Sequence, residues 1–336
     1  MFVFGSSLVD NGNNNFVENA TSKADYMPYG VDFPQGPSGR FSNGKNVIDA
    51  LGELLQLPLI PAFKHPNTKG CMIIHGVDFA SGGSGILDET GSVSGRVISL
   101  NQQIKNFEDI TLPELTAQLG TISLSKYLFV IGSGGNDYLL NFFLPTNPKK
   151  MSLPDFTANL RQSLSSQIQK LHCLGARKFV LVSVYPLGCI PFVKKTFWFH
   201  PGCMVVLNEA AALFNLQLKF LVDDLKPKLP GSNLMYIDTF NIIKDILDNP
   251  SSKGFTDTEN TCCEVPSRIK GGNGILCKRD GTACGNRDSY VFFDGLHPTE
   301  AVNTIIANKA YTSTLETEVY PINVQQLAQI QQVACP

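Results

Sequence analysis

Five short apolar runs, separated by segments long enough for helices, constrain this chain more than any other feature. They cover residues 1–4, 72–79, 127–131, 178–184 and 234–237. Runs of this length and apolarity suit strands buried on both faces. Between them, residues 156–174 put Phe156, Leu160, Leu164, Ile168 and Leu171 on one helical face and stop at Gly175, a residue suited to ending a helix. Residues 207–225, with Leu207, Ala211, Phe214, Leu218, Leu221 and Leu225 on one face, and residues 301–315 read as further helices. Strands alternating with helices predict an α/β chain whose parallel sheet is covered on both sides. Two stretches stand outside this rhythm. Residues 11–43 are rich in Asn, Gly and Pro, and residues 251–288 in Gly and Cys. Loops of that length are usually functional or tied by disulfides. No composition break or internal repeat divides the chain, so residues 1–336 read as a single domain.

Open α/β sheets bind ligands at the C-terminal ends of their strands. The first run, Phe2-Val3-Phe4, passes directly into Gly5-Ser6-Ser7-Leu8. Gly5 permits a sharp turn, and a serine hydroxyl is then presented to the crevice. Either Ser6 or Ser7 meets that description. The second run is followed by Gly82-Gly83-Ser84-Gly85 and the third by Gly134-Gly135-Asn136-Asp137. A glycine N–H and an Asn side-chain amide are suitable donors to a developing oxyanion. Three of five strand tips thus carry reactive or donor groups.

A serine nucleophile needs a base, and the chain has five histidines. His65 and His75 lie in or beside the second run, His172 sits in the first helix, and His200 ends the aromatic loop Phe197-Trp198-Phe199. His297 differs, because Asp294 precedes it by three residues and Pro298 follows it. One tight turn lets the carboxylate reach one imidazole nitrogen, and the proline biases His297 away from the helical region. The other nitrogen is then free to act as a base.

Composition excludes several other classes. A net charge of −2 gives no broad attraction to nucleic acid. No apolar run approaches the ~20 residues of a membrane-spanning helix. Residues 39–45 (GRFSNGK) match most of a phosphate loop but continue into Asn46 and follow a Pro-Gly segment, not a strand. The chain lacks G-x-S-x-G, G-x-G-x-x-G after a strand, and His-Glu-x-x-His. These absences disfavour an α/β-hydrolase elbow, a dinucleotide enzyme and a zincin. The nine cysteines cluster, with Cys189 and Cys203 about one loop and Cys262, Cys263, Cys277 and Cys284 in another. No C-x-x-C pair occurs, so loop-stapling disulfides and an oxidising compartment are expected. Cys71, Cys173 and Cys335 are left over, and a glycosylation sequon stands at Asn19-Ala20-Thr21. The first strand begins at residue 2 and leaves no room for a leader, so either a leader precedes this numbering or the protein is cytosolic. The cysteines favour a secreted protein.

Taken in order, these blocks resemble the plant GDSL esterase/lipase group of the SGNH hydrolases. The first block is residues 2–14 (FVFGSSLVDNGNN), the second 76–85 (GVDFASGGSG), the third 134–138 (GGNDY) and the last 294–299 (DGLHPT). The segments 39–45 and 185–189 (YPLGC) are also similar to the family's. The resemblance runs the length of the chain. It implies a three-layer α/β/α, flavodoxin-like fold with a central, mainly five-stranded parallel sheet. It implies Ser7 as nucleophile, His297 as base and Asp294 as its orienting carboxylate. Gly83 and Asn136 fall on the oxyanion donors, with the Ser7 amide as a third. The choices of Ser7 over Ser6 and Gly83 over Gly82 come from the family pattern. The implied activity is hydrolysis of acyl esters through an acyl-enzyme, with no metal or organic cofactor. Two rivals are an acyltransferase on the same residues and a silent lipid- or ester-binding protein. The chain departs from the pattern twice: Ser6 replaces the motif's Asp, and Asp78 stands where Asn is common. A serine at position 6 is expected to form a similar but weaker local cap, with reduced or altered activity. Phe142-Phe143 and Phe197-Trp198-Phe199 are candidates for lining an acyl or aryl pocket.

Overall fold

A computed structural model describes residues 1–120, 122–144, 151–196, 202–267, 269 and 271–331. Its strands are β1 (Phe2–Gly5), β2 (Leu128–Gly132), β3 (Lys178–Val182), β4 (Asn233–Ile237), β5 (Asp257–Thr261), β6 (Tyr290–Phe292) and β7 (Val319–Tyr320). The helices are α1 (Val47–Leu54), α2 (Leu100–Asn106), α3 (Leu112–Leu119), α4 (Gly135–Asp137), α5 (Leu153–Cys173), α6 (Pro191–Thr196), α7 (Val205–Leu225), α8 (Thr239–Asp248), α9 (Glu300–Thr312) and α10 (Val324–Gln329).

The central sheet has the order β1-β2-β3-β4-β7. The first three pairings are parallel, and only β7 runs antiparallel to its neighbour. Register sets Gly5 beside Gly132 and Val182 beside Ile237, so β1, β2 and β3 end at one rim. Every residue of β1, β2 and β3 is buried, as in a sheet covered on both faces. On the covering layers, α5 packs on α2 and α7, while α1 packs on α9, which also touches α8 and α10. The α/β architecture and the mainly parallel five-stranded sheet therefore agree with expectation.

One strand was misplaced by the sequence reading. Residues 72–79 do not form a sheet strand. A 3-10 turn occupies Gly70–Ile73, and Asp78 makes only single parallel bridges to Val3 and Ala62. Gly76, at φ 129°, breaks the extended run and lies so close to Met1 that a Cβ would meet its carbonyl oxygen at 1.8 Å. Past Gly76 the chain lies along β1, with Val3 N–H donating to Val77 O, Phe79 N–H to Val3 O and Ser81 N–H to Gly5 O, while the Asn13 amide also takes the carbonyls of Asp78 and Ala80. The fifth strand is instead β7, whose two residues are too short to read from the sequence.

The three expected helices appear as α5, α7 and α9. Ser152 caps α5 by accepting from Asp155 N–H, and Gly175 follows it at φ 112°. Helix α7 is, contrary to the reading from runs alone, long and apolar enough to cross a membrane. Its Leu207, Ala211, Phe214, Leu218 and Leu225 are buried, and it packs on α5 and β4, which accounts for much of that apolarity by the fold itself. The core extends from Met1 to Leu327 and is dense in aromatics under the first strand. Phe4 stacks on Phe79 at 5.2 Å, and Phe2 meets Phe107 at 4.9 Å.

Disulfides join Cys189 to Cys203, Cys262 to Cys284 and Cys263 to Cys277. The last two staple the Cys-rich segment, whose β5 pairs with β6 ahead of the Asp294 turn. Cys71 and Cys173 are free and exposed. Cys335, His200 and the run Phe197-Trp198-Phe199 lie outside the described residues.

Candidate active site

Gly5 is the hinge on which the site is built. Its φ of 145° turns the chain at the end of β1, and a Cβ there would sit 2.1 Å from the Gly132 carbonyl oxygen. Only glycine fits so close an approach. Buried Gln103 clamps this residue, accepting from Gly5 N–H at 2.8 Å and donating to Gly5 O at 2.9 Å. Ser6 N–H donates to Gly132 O and Val9 N–H to Ser6 O. The turn is thus held by backbone bonds and by Gln103. Among the described residues the Ser6 hydroxyl has no hydrogen-bond partner, and Ser6 lines a cavity beside Ser7, so the local cap expected of it does not form. Asp10 supplies the nearby acid cap, accepting from Gly12, Asn13 and Gly82 N–H.

The distant residues meet here. Ser7 Oγ lies 2.7 Å from His297 Nε2, and His297 Nδ1 lies 2.8 Å from Asp294 Oδ2. Asp294 Oδ1 also accepts from the N–H groups of Leu296 and His297. A carboxylate surrounded by donors fixes Nδ1 as the protonated nitrogen, which leaves Nε2 to accept from the Ser7 hydroxyl. Asp294 is fully buried, and Ser7 and His297 nearly so. Phe41 covers the imidazole, with ring centroids 4.8 Å apart.

A third partner was missed by the sequence reading. Tyr29 donates to Asp294 Oδ2 at 2.6 Å and accepts from Cys277 N–H at 3.0 Å. Burial, reinforced by the Asp294 charge, holds the Tyr29 phenol well above its ordinary pKa, so it stays a donor. The Cys263–Cys277 disulfide fixes that end of the relay. No local pattern announces Tyr29, because it lies 265 residues from its partner.

The glycine and asparagine blocks converge on the same rim. Gly82 N–H is taken by Asp10 Oδ2 and Ser84 N–H by Ser81 O, while Gly83 N–H between them has no protein acceptor among the described residues. Ser7 N–H is likewise without one. Asn136, at the end of the β2 turn, gives one amide hydrogen to Ser84 O at 2.9 Å and keeps the second. Its neighbour Asp137 clamps the facing loop, accepting from Ile86 and Leu87 N–H and from the Thr90 hydroxyl. Burial raises the Asp137 carboxyl to about 6 despite these bonds. Burial likewise raises Asp10 to about 6, and raises Asp78 well above the carboxylate range with help from the Asp10 charge. Neither Asp10 nor Asp137 was singled out from the sequence, although each sits inside a quoted block.

Phe142 and Phe143 do not line this cavity. They pack against one another, and Phe142 also packs on Phe156, as ordinary core. Residues 39–45 form no phosphate loop: Arg40 is buried in an ion pair with Asp49, and Asn46 caps α1. Among the described residues no cluster of His, Cys, Asp and Glu suits a metal ion.

Comparison with known proteins gives the arrangement its family. Residues 1–310 match the family described as GDSL-like lipase/acylhydrolase. Three Arabidopsis thaliana proteins resemble the chain over 98% of its length. GDSL esterase/lipase At5g08460 is 41% identical over 87% of its own length. GDSL esterase/lipase At4g16230 is 39% identical over 90% of its own length, and GDSL esterase/lipase 7 is 37% identical over 92%. With a family match spanning nine-tenths of its residues and relatives alike from end to end, this chain belongs to the GDSL-like lipase/acylhydrolase family.

Proposed function

We propose that this carboxylic ester hydrolase works through Ser7, His297 and Asp294 and a covalent acyl-enzyme. The carrying observation is the 2.7 Å approach of Ser7 Oγ to His297 Nε2, with Asp294 on the other ring nitrogen. Ser7 Oγ forms a bond to the ester carbonyl carbon as its proton passes to Nε2. The oxyanion is met by the free N–H groups of Ser7 and Gly83 and by the second amide hydrogen of Asn136. Collapse breaks the bond to the alkoxy oxygen, which takes the proton from Nε2 and leaves as the alcohol. Water, deprotonated by His297, then attacks the acyl carbon; the bond from that carbon to Ser7 Oγ breaks, Oγ takes the proton back from Nε2, and the carboxylic acid leaves. An acceptor alcohol in place of that water would give acyl transfer. The Ser6 replacement does not favour a silent binder, since the nucleophile turn is held without the Ser6 side chain.

Secretion is part of the proposal. Three disulfides suit an oxidising compartment, and Asn19 of the sequon is exposed. The mechanism is tested by turnover of a chromogenic acetate ester. Ser7→Ala and His297→Ala should each lower kcat by at least about 10³-fold with the fold retained. Unchanged turnover in either variant would end it.

A further inference from the structure

Gly82 and Gly83 form the centre of a tight turn whose middle peptide has two available orientations. Ser84 N–H donates to Ser81 O at 3.1 Å, which closes the turn around them. Gly83 has φ 87°, as the second central residue of a type II turn does. Rotating the Gly82–Gly83 peptide by about 180° would give a type I turn with the same closing bond. Glycine at both positions offers little steric resistance to that rotation. The Gly82 carbonyl and the Gly83 N–H belong to this one planar peptide and point in opposite directions. Whatever holds the carbonyl therefore aims the N–H. The holder is buried Asn14, whose Nδ2 donates to Gly82 O at 2.8 Å. Among the described residues this carbonyl has no other hydrogen-bond partner. Asn14 is itself fixed. Nδ2 also donates to Ser22 O at 2.8 Å, and Oδ1 accepts from Ser81 Oγ at 2.6 Å, which accepts in turn from Ile98 N–H. Asp10 holds Gly82 N–H, but that group belongs to the preceding peptide and does not select the turn type. The turn stands beside the base: a Cβ on Gly82 would lie 2.7 Å from Phe41, the ring that covers His297.

We propose that Asn14 is a positioning residue for ester hydrolysis, holding the Gly82–Gly83 peptide so that Gly83 N–H faces the oxyanion. The inference rests on the acyl-enzyme reading above. The bond at the carbonyl also polarises the peptide and strengthens its N–H as a donor. Loss of one oxyanion donor costs about 10²–10³-fold in kcat. Asn14→Leu, which lets the peptide rotate, should lower kcat at least about tenfold with KM nearly unchanged. Active sites are counted with a fluorophosphonate carried to completion, so that kcat is expressed per competent Ser7. The discriminating readout is inhibition by phenyl trifluoromethyl ketone. Ser7 Oγ adds to its carbonyl carbon, the serine proton passes to Nε2, and the ketone oxygen becomes the oxyanion. Its inhibition constant should rise by the same factor as kcat/KM falls. Ser81→Ala, which frees the Asn14 amide, should show the same paired losses at about threefold, and it carries the test if Asn14→Leu does not fold. Folded variants with wild-type kcat per site and wild-type ketone affinity make Asn14 a structural staple and overturn the proposal alone, as does a loss confined to KM. A wild type that neither turns over ester nor labels at Ser7 overturns the acyl-enzyme reading and this proposal with it.

Discussion

Single residues decide how this site holds its shape. A methyl group at position 5 would collide with the backbone of β2, which cannot yield as a flexible side chain would. Gly5→Ala is expected to cost about 3 kcal/mol or more, measured by urea unfolding or seen as insoluble expression. A stable, fully active variant would show that the turn is freer than described. Tyr29→Phe removes the donor to Asp294 and orphans the buried Cys277 N–H. It should lower kcat about tenfold with little change in KM, the mark of a positioning residue. Asp137 makes a pH-dependent contribution. Its folded pKa of about 6 exceeds the ordinary carboxylate value of 3.8, so the folded state binds the proton more tightly. Its contribution is therefore greatest below pH 4 and declines as pH rises through 6. The stability of the wild type minus that of Asp137→Asn should fall by on the order of 3 kcal/mol between pH 4 and 7, read by unfolding at each pH. A difference that stays constant with pH contradicts the burial argument.

At the scale of elements, the Cys-rich segment acts as a brace for the Asp294–His297 turn. Cys262 N–H and Cys263 N–H donate to the carbonyls of Phe292 and Phe293, and Cys277 N–H reaches Tyr29. Replacing Cys263 and Cys277 by Ser opens a loop with a sequence separation of 14. This should cost about 3 kcal/mol, and kcat should fall at temperatures where the variant remains folded. Full activity in the folded variant would reduce the brace to a stability device. The elements also show what a sequence can and cannot convey. Strands β1 to β4 were legible because burial on both faces leaves continuous apolar runs. The 72–79 run imitated that signal, yet a 3-10 turn and Gly76 break it, and only the residues after Gly76 bond along β1. Strand β7 gave no signal, being two residues held by pairing with β4.

For the whole molecule, topology gathers what the sequence scatters. Parallel β1, β2 and β3 end at one rim, which brings Ser7 and Asn136 together. The last loop then delivers His297 to a serine 290 positions earlier. Asp294-x-x-His297 was readable because its geometry is local. Gln103 and Tyr29 were not, because their partners lie 98 and 265 residues away. The central claim is that Ser7, and neither Ser6 nor Ser133 beside it, is the nucleophile. It is tested most directly by treating the purified protein with a fluorophosphonate and locating the adduct by peptide mass spectrometry. The account predicts one adduct, on Ser7, formed rapidly in the wild type and lost in His297→Ala. An adduct on Ser6 or Ser133, or labelling indifferent to His297, would contradict it.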